Sequence, residues 1–450
     1  MPKSALQLLT GRGSKIGAAL MTKGVDGVCF TGSTATAKII HRTMAENLDP
    51  DAPLIAETGG LNAMIVDSTA LAEQAVGDVI ASAFQSAGQR CSALRLLYIQ
   101  SDVAPLFMKM LLGALEEQNV GDPWNFDTDI GPIITAAEQN NIASYIAMAK
   151  SEGRLIKAIE VPKIGAFVSP AIISVKGLAD LKKEVFGPVL HVSTFEAHEV
   201  PKLISDINAS GYGLTFGLHT RLDNRVEYIT QNLKVGNIYV NRNQIGAVVG
   251  SQPFGGEGLS GTGPKAGGPH YVKRFTVKAF KRPKDQDLGG KSLSLETVQK
   301  AITENSAQSP AALSTIEMPG PTGESNQLSE YPKGLILCLG PGWEDGQKQA
   351  KIARSKGCPT IIICDGAKGD NTLDGFTATD TLSDLNGIAG VAFWGHAEHA
   401  RKIRRALARR KGPIVPLMGP ADMEGYCVSE RHVCIDTTAS GGNVSLLSGT

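Results

Sequence analysis

Two residues in this 450-residue chain can do chemistry together: Glu57, in the run Leu54-Ile55-Ala56-Glu57-Thr58-Gly59-Gly60, and Cys91, in Gly88-Gln89-Arg90-Cys91-Ser92. A cysteine whose thiolate is favoured is a strong nucleophile, and a carboxylate can take its proton and later activate water. Taken alone, a single Cys and a single Glu read as a buried thiol and a surface acid. Gly59, Gly60 and Gly88 add turns that let backbone approach a ligand.

The elements that must position this pair follow from the apolar spacing. Gly24 to Phe30 reads as a buried strand, and Gly32-Ser33-Thr34 starts a helix over Ala35 to Glu46. Such a start offers free N–H groups and the positive end of a dipole, which suits a pyrophosphate; an ordinary N-cap is the competing reading. Next come a strand at Ala63 to Val66, a helical pattern through Leu71, Ala75, Val79, Phe84 and Ala87, and a strand at Leu94 to Gln100. Cys91 is therefore expected in a helix-to-strand turn. Helical patterns at Val103 to Glu117, Ala136 to Ser151, Pro201 to Ala209 and Asn224 to Asn232 alternate with strands at Ala166 to Ser174, Leu214 to Thr220 and Asn237 to Asn241. This is an α/β catalytic domain.

Ile245 to Gly268 holds nine glycines, suited to a loop around a small ligand. His270 to Arg282 alternates as an extended flap would. Asp285 to Pro332 reads as a linker with one weak helical stretch near Leu293 to Thr303. Short strands at Leu335 to Leu339, Thr360 to Cys364, Val391 to Trp394 and Ile414 to Leu417, with helices at Glu344 to Lys356 and Ala397 to Lys411, form a small Rossmann-like domain. Its Gly340-Pro341-Gly342 turn lacks the full dinucleotide spacing and reads as structural. The expected segments are 1–55 (remnant of a cofactor domain), 56–268 (catalytic), 269–283 (flap), 284–332 (linker), 333–425 (small domain) and 426–450 (closing strand).

Bulk composition narrows the classes. Forty-four basic and forty-four acidic residues cancel, and aromatics are 5% of the chain, so neither charge nor a stacking platform points to nucleic acid. No apolar run reaches membrane-spanning length, and no secretory leader is visible. Seven cysteines without a CxxC pair point to free thiols in a reducing, cytosolic setting. Cys29, Cys338, Cys358 and Cys364 lie in or beside apolar strands and are expected as core thiols. The spacing of His396 and His399 is wrong for a helical metal pair, so no metal site is expected. The Arg- and Lys-rich run 401–411 suits a solvated helix.

Five motifs in order, Phe30-Thr31-Gly32-Ser33-Thr34, Glu57-Thr58-Gly59-Gly60, Gly88-Gln89-Arg90-Cys91-Ser92, Glu184-Val185-Phe186-Gly187-Pro188 and Pro253-Phe254-Gly255-Gly256, resemble the aldehyde dehydrogenase superfamily. Ile245-Gly246-Ala247-Val248-Val249-Gly250, the glycine-rich run from Gly255 to Tyr271, Met318 to Asn326 and the closing Ser429 to Leu447 are similar to the glutamate semialdehyde dehydrogenase part of the bifunctional proline utilization A family. The resemblance covers nearly the whole chain. It implies an aldehyde dehydrogenase-like fold followed by a small Rossmann-like domain, NAD as cofactor, L-glutamate γ-semialdehyde as substrate, an upstream proline dehydrogenase domain and a homodimer. Members of the family carry a longer stretch before this point, with an asparagine that helps hold the oxyanion; the chain is expected to be a C-terminal fragment. Cys91 would be the nucleophile and Glu57 the base. Gly32 and Ser33 would meet the pyrophosphate, Glu184 the nicotinamide ribose and Phe186 the ring. Ser92, Gly246 and Ala247 would anchor the substrate carboxylate, with Phe254 as an aromatic wall. Two other readings stay open: a catalytically incompetent lid or dimerisation module, and a thiol esterase that needs no cofactor.

Overall fold

The computed structural model describes residues 2, 4–276, 280–283, 290–307 and 311–438. They divide into two compact units, one of Thr58–Gly268, Pro310–Glu330 and Glu430–Thr450, the other of Met1–Glu57, Pro269–Ser309 and Tyr331–Ser429.

The first unit is built on a ten-stranded sheet. Its interior strands run parallel and read as continuous apolar runs because both faces are covered. In Ala63–Val66 and Leu96–Gln100, which pair in parallel, every residue is buried. The strand period of two splits each run between two cores. Met64, Val66, Leu97 and Ile99 pack on one side with Val79 and Phe84 of the helix Ala72–Phe84 and Phe107 and Leu111 of the helix Ala104–Glu116. Ala63, Ile65, Leu96 and Tyr98 pack on the other with Leu203 and Ile207 of the helix Val200–Ala209 and Ile229 of the helix Asp223–Asn232. Each fully buried Leu or Phe stabilises this arrangement by about 1.5–3 kcal/mol. The helix Ala136–Ser151 starts where Thr135 Oγ1 accepts from the Glu138 N–H.

Strands Val189–Phe195 and Ala171–Ser174 continue the parallel order beside Leu96–Gln100, and Leu155–Ala158 closes that edge antiparallel. On the other side, Val428–Asp436 pairs in parallel with Asn237–Val240, so the closing strand is an interior strand of the sheet. Beyond it lie Glu324–Pro332 and Ser314–Glu317, an antiparallel pair. Part of the expected linker 284–332 is therefore sheet edge, and the helix Leu295–Glu304 belongs to the same stretch. Ser and Gly dilute the apolar signal there, because an edge strand need bury only one face. The expected flap is corrected too: Tyr271–Phe275 is a short helix, and residues 277–279 lie outside the described residues.

The second unit holds a five-stranded parallel sheet in the order 372–374, 360–364, 335–338, 388–392, 417–418. The order reverses between Leu335–Cys338 and Ile388–Ala392, the place where doubly wound sheets bind ligands. Here that place is filled from within. Arg282 donates to the carbonyls of Phe393 (3.1 Å) and Gly395 (2.8 Å) and pairs with Asp51 at 2.7 Å. The buried Gln349 amide accepts from the Gly340 N–H at 3.0 Å and donates to the Gly340 carbonyl at 2.6 Å. His396 caps the helix Ala397–Arg409 by accepting from the Glu398 N–H, and the His399 ring lies 5.1 Å from that of Phe393.

The first 57 residues belong to this unit as well. Val28–Thr31 pairs in parallel with Leu54–Glu57, and the helix Thr34–Asn47 packs by Arg42, which donates to the Ala408 carbonyl at 3.3 Å. The basic helix is thus not wholly solvated: Arg404 is buried and donates to the carbonyls of Asp49 and Ala52, while Arg405 meets Glu46 at 2.7 Å. The Asp49 and Ala52 carbonyls and the Glu46 carboxylate give those cations partners that spacing alone does not reveal. Cys29 departs from its expectation, being exposed on a strand whose burial alternates; Cys338, Cys358 and Cys364 are buried.

Candidate active site

Cys91 lies in the first unit, in the turn between the helix Ala72–Phe84 and the strand Leu96–Gln100, and is half-buried. The turn is set by an unusual backbone run: Ser86, Ala87 and Gly88 all have positive φ, at 56°, 53° and 64°. For Ser and Ala this conformation costs about 1–2 kcal/mol each, so the surroundings must impose it. Gly88 has no alternative, since a Cβ there would lie 2.2 Å from the Gly187 carbonyl oxygen. Gln89 ties the turn outward, donating to the Pro132 carbonyl at 3.0 Å and accepting from the Ile134 N–H at 2.9 Å.

Two buried side chains hold the turn from below. Asn62, 2% exposed, donates to the carbonyls of Cys91 (2.7 Å) and Ala93 (3.0 Å) and accepts from the Thr215 N–H. Arg95, 1% exposed, donates to the carbonyls of Gly88 (2.7 Å) and Arg90 (3.1 Å) and, from Nε and Nη2, to Glu184 Oε1 at 3.2 and 3.0 Å. Burial pushes the Arg95 pKa down and the Glu184 pKa up; at both ends desolvation outweighs the pull of the ion pair. Glu184 fits because Gly59 has no side chain: a Cβ there would stand 1.9 Å from Glu184 Oε2. Phe186 is 43% exposed and its ring centroid lies 5.1 Å from the Arg95 guanidinium carbon.

The remaining predicted residues divide between the units. Ser92 is buried, and its carbonyl accepts from Thr215 Oγ1 and Gln244 Nε2, both at 3.1 Å. Gly246 is exposed with φ 69°, Ala247 is half-buried, and a Cβ on Gly246 would sit 3.6 Å from Arg90 Nη1. Phe254 is half-buried and bridges antiparallel to Ala266, with N–H···O distances of 3.0 and 2.8 Å. Glu57, Gly32 and Ser33 are in the second unit. Glu57 ends the strand Leu54–Glu57, half-buried, and its carbonyl accepts from the Gly32 N–H at 3.1 Å. Ser33 is the exposed N-cap of the helix Thr34–Asn47, its hydroxyl accepting from the Thr36 N–H at 3.2 Å. Among the described residues no group of three His, Cys, Asp or Glu side chains could hold a metal ion, and no helix is long and apolar enough to cross a membrane.

Sequence reasoning missed Arg95, Asn62 and Arg90. The signal for Arg95 was present: a lone cation in the otherwise apolar run Ala93 to Ile99 must be paired if buried.

The profile described as the aldehyde dehydrogenase family matches residues 1–280. The chain belongs to the aldehyde dehydrogenase family. Among its relatives in that family, the bifunctional protein PutA of Klebsiella aerogenes is 41% identical over 98% of this chain and 37% of that protein. A 1-pyrroline-5-carboxylate dehydrogenase of Bacillus subtilis is 35% identical over 60% of this chain and 54% of its own length. The chain thus spans less than two fifths of the PutA relative it matches. Among solved structures, a bifunctional proline utilization A (PutA) protein superposes with a TM-score of 0.59 at 53% identity, covering 61% of this chain and 28% of the other. A 1-pyrroline-5-carboxylate dehydrogenase from Thermus with bound NAD gives 0.54 at 32%, covering 59% and 52%. These similarities bear out the α/β aldehyde dehydrogenase-like fold.

Proposed function

We propose that this chain carries the NAD-dependent oxidation of L-glutamate γ-semialdehyde to L-glutamate, with Cys91 as nucleophile and Glu57 as base. The observation that carries the reading is the half-buried Cys91 at the end of a turn held by buried Asn62 and Arg95. A preset turn lowers the cost of attack because no reorganisation is needed at the moment of reaction.

The Cys91 thiolate adds to the aldehyde carbon, forming a C–S bond and an alkoxide; the Cys91 backbone N–H is a donor for that oxygen. The chemistry that bound NAD would supply is acceptance of the hydride from this carbon. The resulting thioester is attacked by water, whose proton passes to the Glu57 carboxylate; the C–S bond breaks and the carboxylic acid leaves. A base for this task works best with a pKa nearer neutrality than a solvated glutamate has.

The residues present fit a dinucleotide. The exposed start of the helix Thr34–Asn47, with Gly32 before it and Ser33 as cap, suits the pyrophosphate. Glu184, accommodated by the missing Cβ of Gly59, offers a carboxylate to ribose hydroxyls, and exposed Phe186 offers a ring face to the nicotinamide. For the substrate, the N–H groups of Gly246 and Ala247 and the Ser92 hydroxyl would hold the α-carboxylate, Phe254 would line the aliphatic part, and Arg90 beside Gly246 adds a cation of the right sign. Bifunctional PutA relatives suggest that a proline-oxidising domain supplies the semialdehyde.

The test is NADH absorbance on mixing this chain with NAD and the semialdehyde. Steady NADH formation that ceases in Cys91→Ser is the expected result. A folded chain that binds NAD but leaves the semialdehyde untouched, while oxidising a simple aliphatic aldehyde, would overturn the substrate. Light scattering on the same preparation tests the homodimer.

A further inference from the structure

Arg95 makes contacts that no catalytic role assigned above requires. Its guanidinium spends every nitrogen: Nη1 on the Gly88 carbonyl, Nη2 on the Arg90 carbonyl and Glu184 Oε1, and Nε on Glu184 Oε1 again. The group is 1% exposed, so no water replaces a lost partner. We propose that Arg95 is a positioning residue that couples the cofactor carboxylate to the nucleophile turn, so that a change at Glu184 is transmitted to the backbone of Cys91. The inference rests on the reading of Cys91 and Glu184 given above.

A ribose hydroxyl at Glu184 would draw its carboxylate out of its present position. Oε2 is confined against Gly59, where a Cβ would be 1.9 Å away, so the carboxylate has little room to rotate independently. If it moves, Arg95 must either follow or leave a buried cation partly unpaired, and the second course is strongly unfavourable. Following pulls on two carbonyls that flank the turn, at Gly88 and Arg90, the second of which is bonded directly to Cys91. The Phe186 ring at 5.1 Å restricts the guanidinium on one face. His191 restricts the other end of the residue: its Nδ1–H donates to the Arg95 carbonyl at 2.8 Å, which leaves Nε2 to accept from the Tyr145 hydroxyl at 2.8 Å. Lysine cannot replace this device, since its donors radiate from one point and cannot span a carboxylate and two carbonyls.

The experiment reads Cys91 alkylation by iodoacetamide, followed by peptide mass, with and without saturating NAD, in the unaltered chain, Glu184→Gln, Arg95→Lys and Arg95→Gln. In the unaltered chain NAD should change the alkylation rate by about tenfold, a coupling of ordinary size. Glu184→Gln, at an NAD concentration that calorimetry shows to saturate it, should respond less than about twofold relative to its own cofactor-free rate. Both Arg95 variants should lose the response, and Lys should not rescue the cofactor-free rate, which should fall roughly tenfold. Unaltered rates and response in Arg95→Lys would overturn the proposal, as would a full response in Glu184→Gln. If the Arg95 variants do not fold, the Glu184 arm decides. If the unaltered chain binds no NAD by calorimetry, the functional reading fails, and the cofactor-free rates of the Arg95 variants still judge whether the guanidinium sets the turn.

Discussion

Two glycine turns follow the same plan and are used in opposite ways. In the first unit, the turn at 86–91 directs its carbonyls inward to Arg95 and Asn62 and leaves a half-exposed thiol at its end. In the second unit, the turn at Gly340 to Gly342 lies where a doubly wound sheet would take a ligand, yet Gln349 and the Trp394 N–H satisfy Gly340 and Arg282 fills the space beside Gly395. A turn becomes a site when its internal bonds hold the backbone and set a reactive side chain at its end. A turn whose groups are all matched internally is scaffold, whatever its glycine spacing.

Four results would break or sharpen that contrast. The largest effect belongs to Cys91→Ser, which should lower kcat by roughly 10³-fold or more while leaving NAD affinity nearly unchanged; calorimetry showing a large loss of NAD binding would count against the assigned roles. Gly88→Ala follows, because it combines positive φ with a 2.2 Å approach to backbone; a loss of about 3 kcal/mol in the urea unfolding of its unit is expected. Third, burial lowers the pKa of His191 in the first unit to about 4, and burial with Arg404 and Arg42 does the same to His41 in the second. A depressed folded pKa means that the unfolded chain binds protons first as pH falls. Stability from each group is therefore complete above pH 6.5 and is lost as pH drops toward 4, on the order of 3 kcal/mol per histidine. His191→Gln and His41→Gln should each flatten the acid limb of urea midpoints in their own unit alone. The smallest effect is Gly342→Ala: φ is 88° but nothing lies within 4 Å of the added carbon, so a cost of about 1 kcal/mol and no change in turnover are expected. A turnover loss there would show that the second turn is a site after all.

Much of this was legible in the residues. Apolar runs long enough to be covered on both faces located Ala63–Val66 and Thr360–Cys364 to the residue, and helical spacing located Ala136–Ser151. The cap at Ser33 placed the following helix to within one residue at each end. What escaped was the edge, the strands Ser314–Glu317 and Glu324–Pro332, since polar one-sided strands carry no continuous apolar run. The grouping of the first 57 residues with the small C-terminal sheet also escaped, because it depends on arginine side chains meeting backbone carbonyls more than 350 positions away, as Arg404 meets Ala52. Of the proposed site residues, Cys91 and Glu57 stood out only in the company of the five motifs, and Glu184 only through the resemblance those motifs carry. Asn62, which acts through carbonyls, has no sequence spacing to betray it, whereas Arg95 was marked as a lone cation in an apolar run.

The strand Val428–Asp436 lies between Asn237–Val240 and the strand Glu324–Pro332, with His432 opposite Asn237. The partners in that pairing are roughly two hundred residues apart in sequence, which makes it among the costliest loop closures in the molecule. During synthesis the Cys91 turn and its neighbouring strands leave the ribosome long before this strand does. Until it arrives, Asn237–Val240 presents an open hydrogen-bonding edge beside a nearly finished sheet, the state most exposed to pairing with another nascent chain. Assembly of the sheet is thus gated by late residues rather than by those that carry the chemistry.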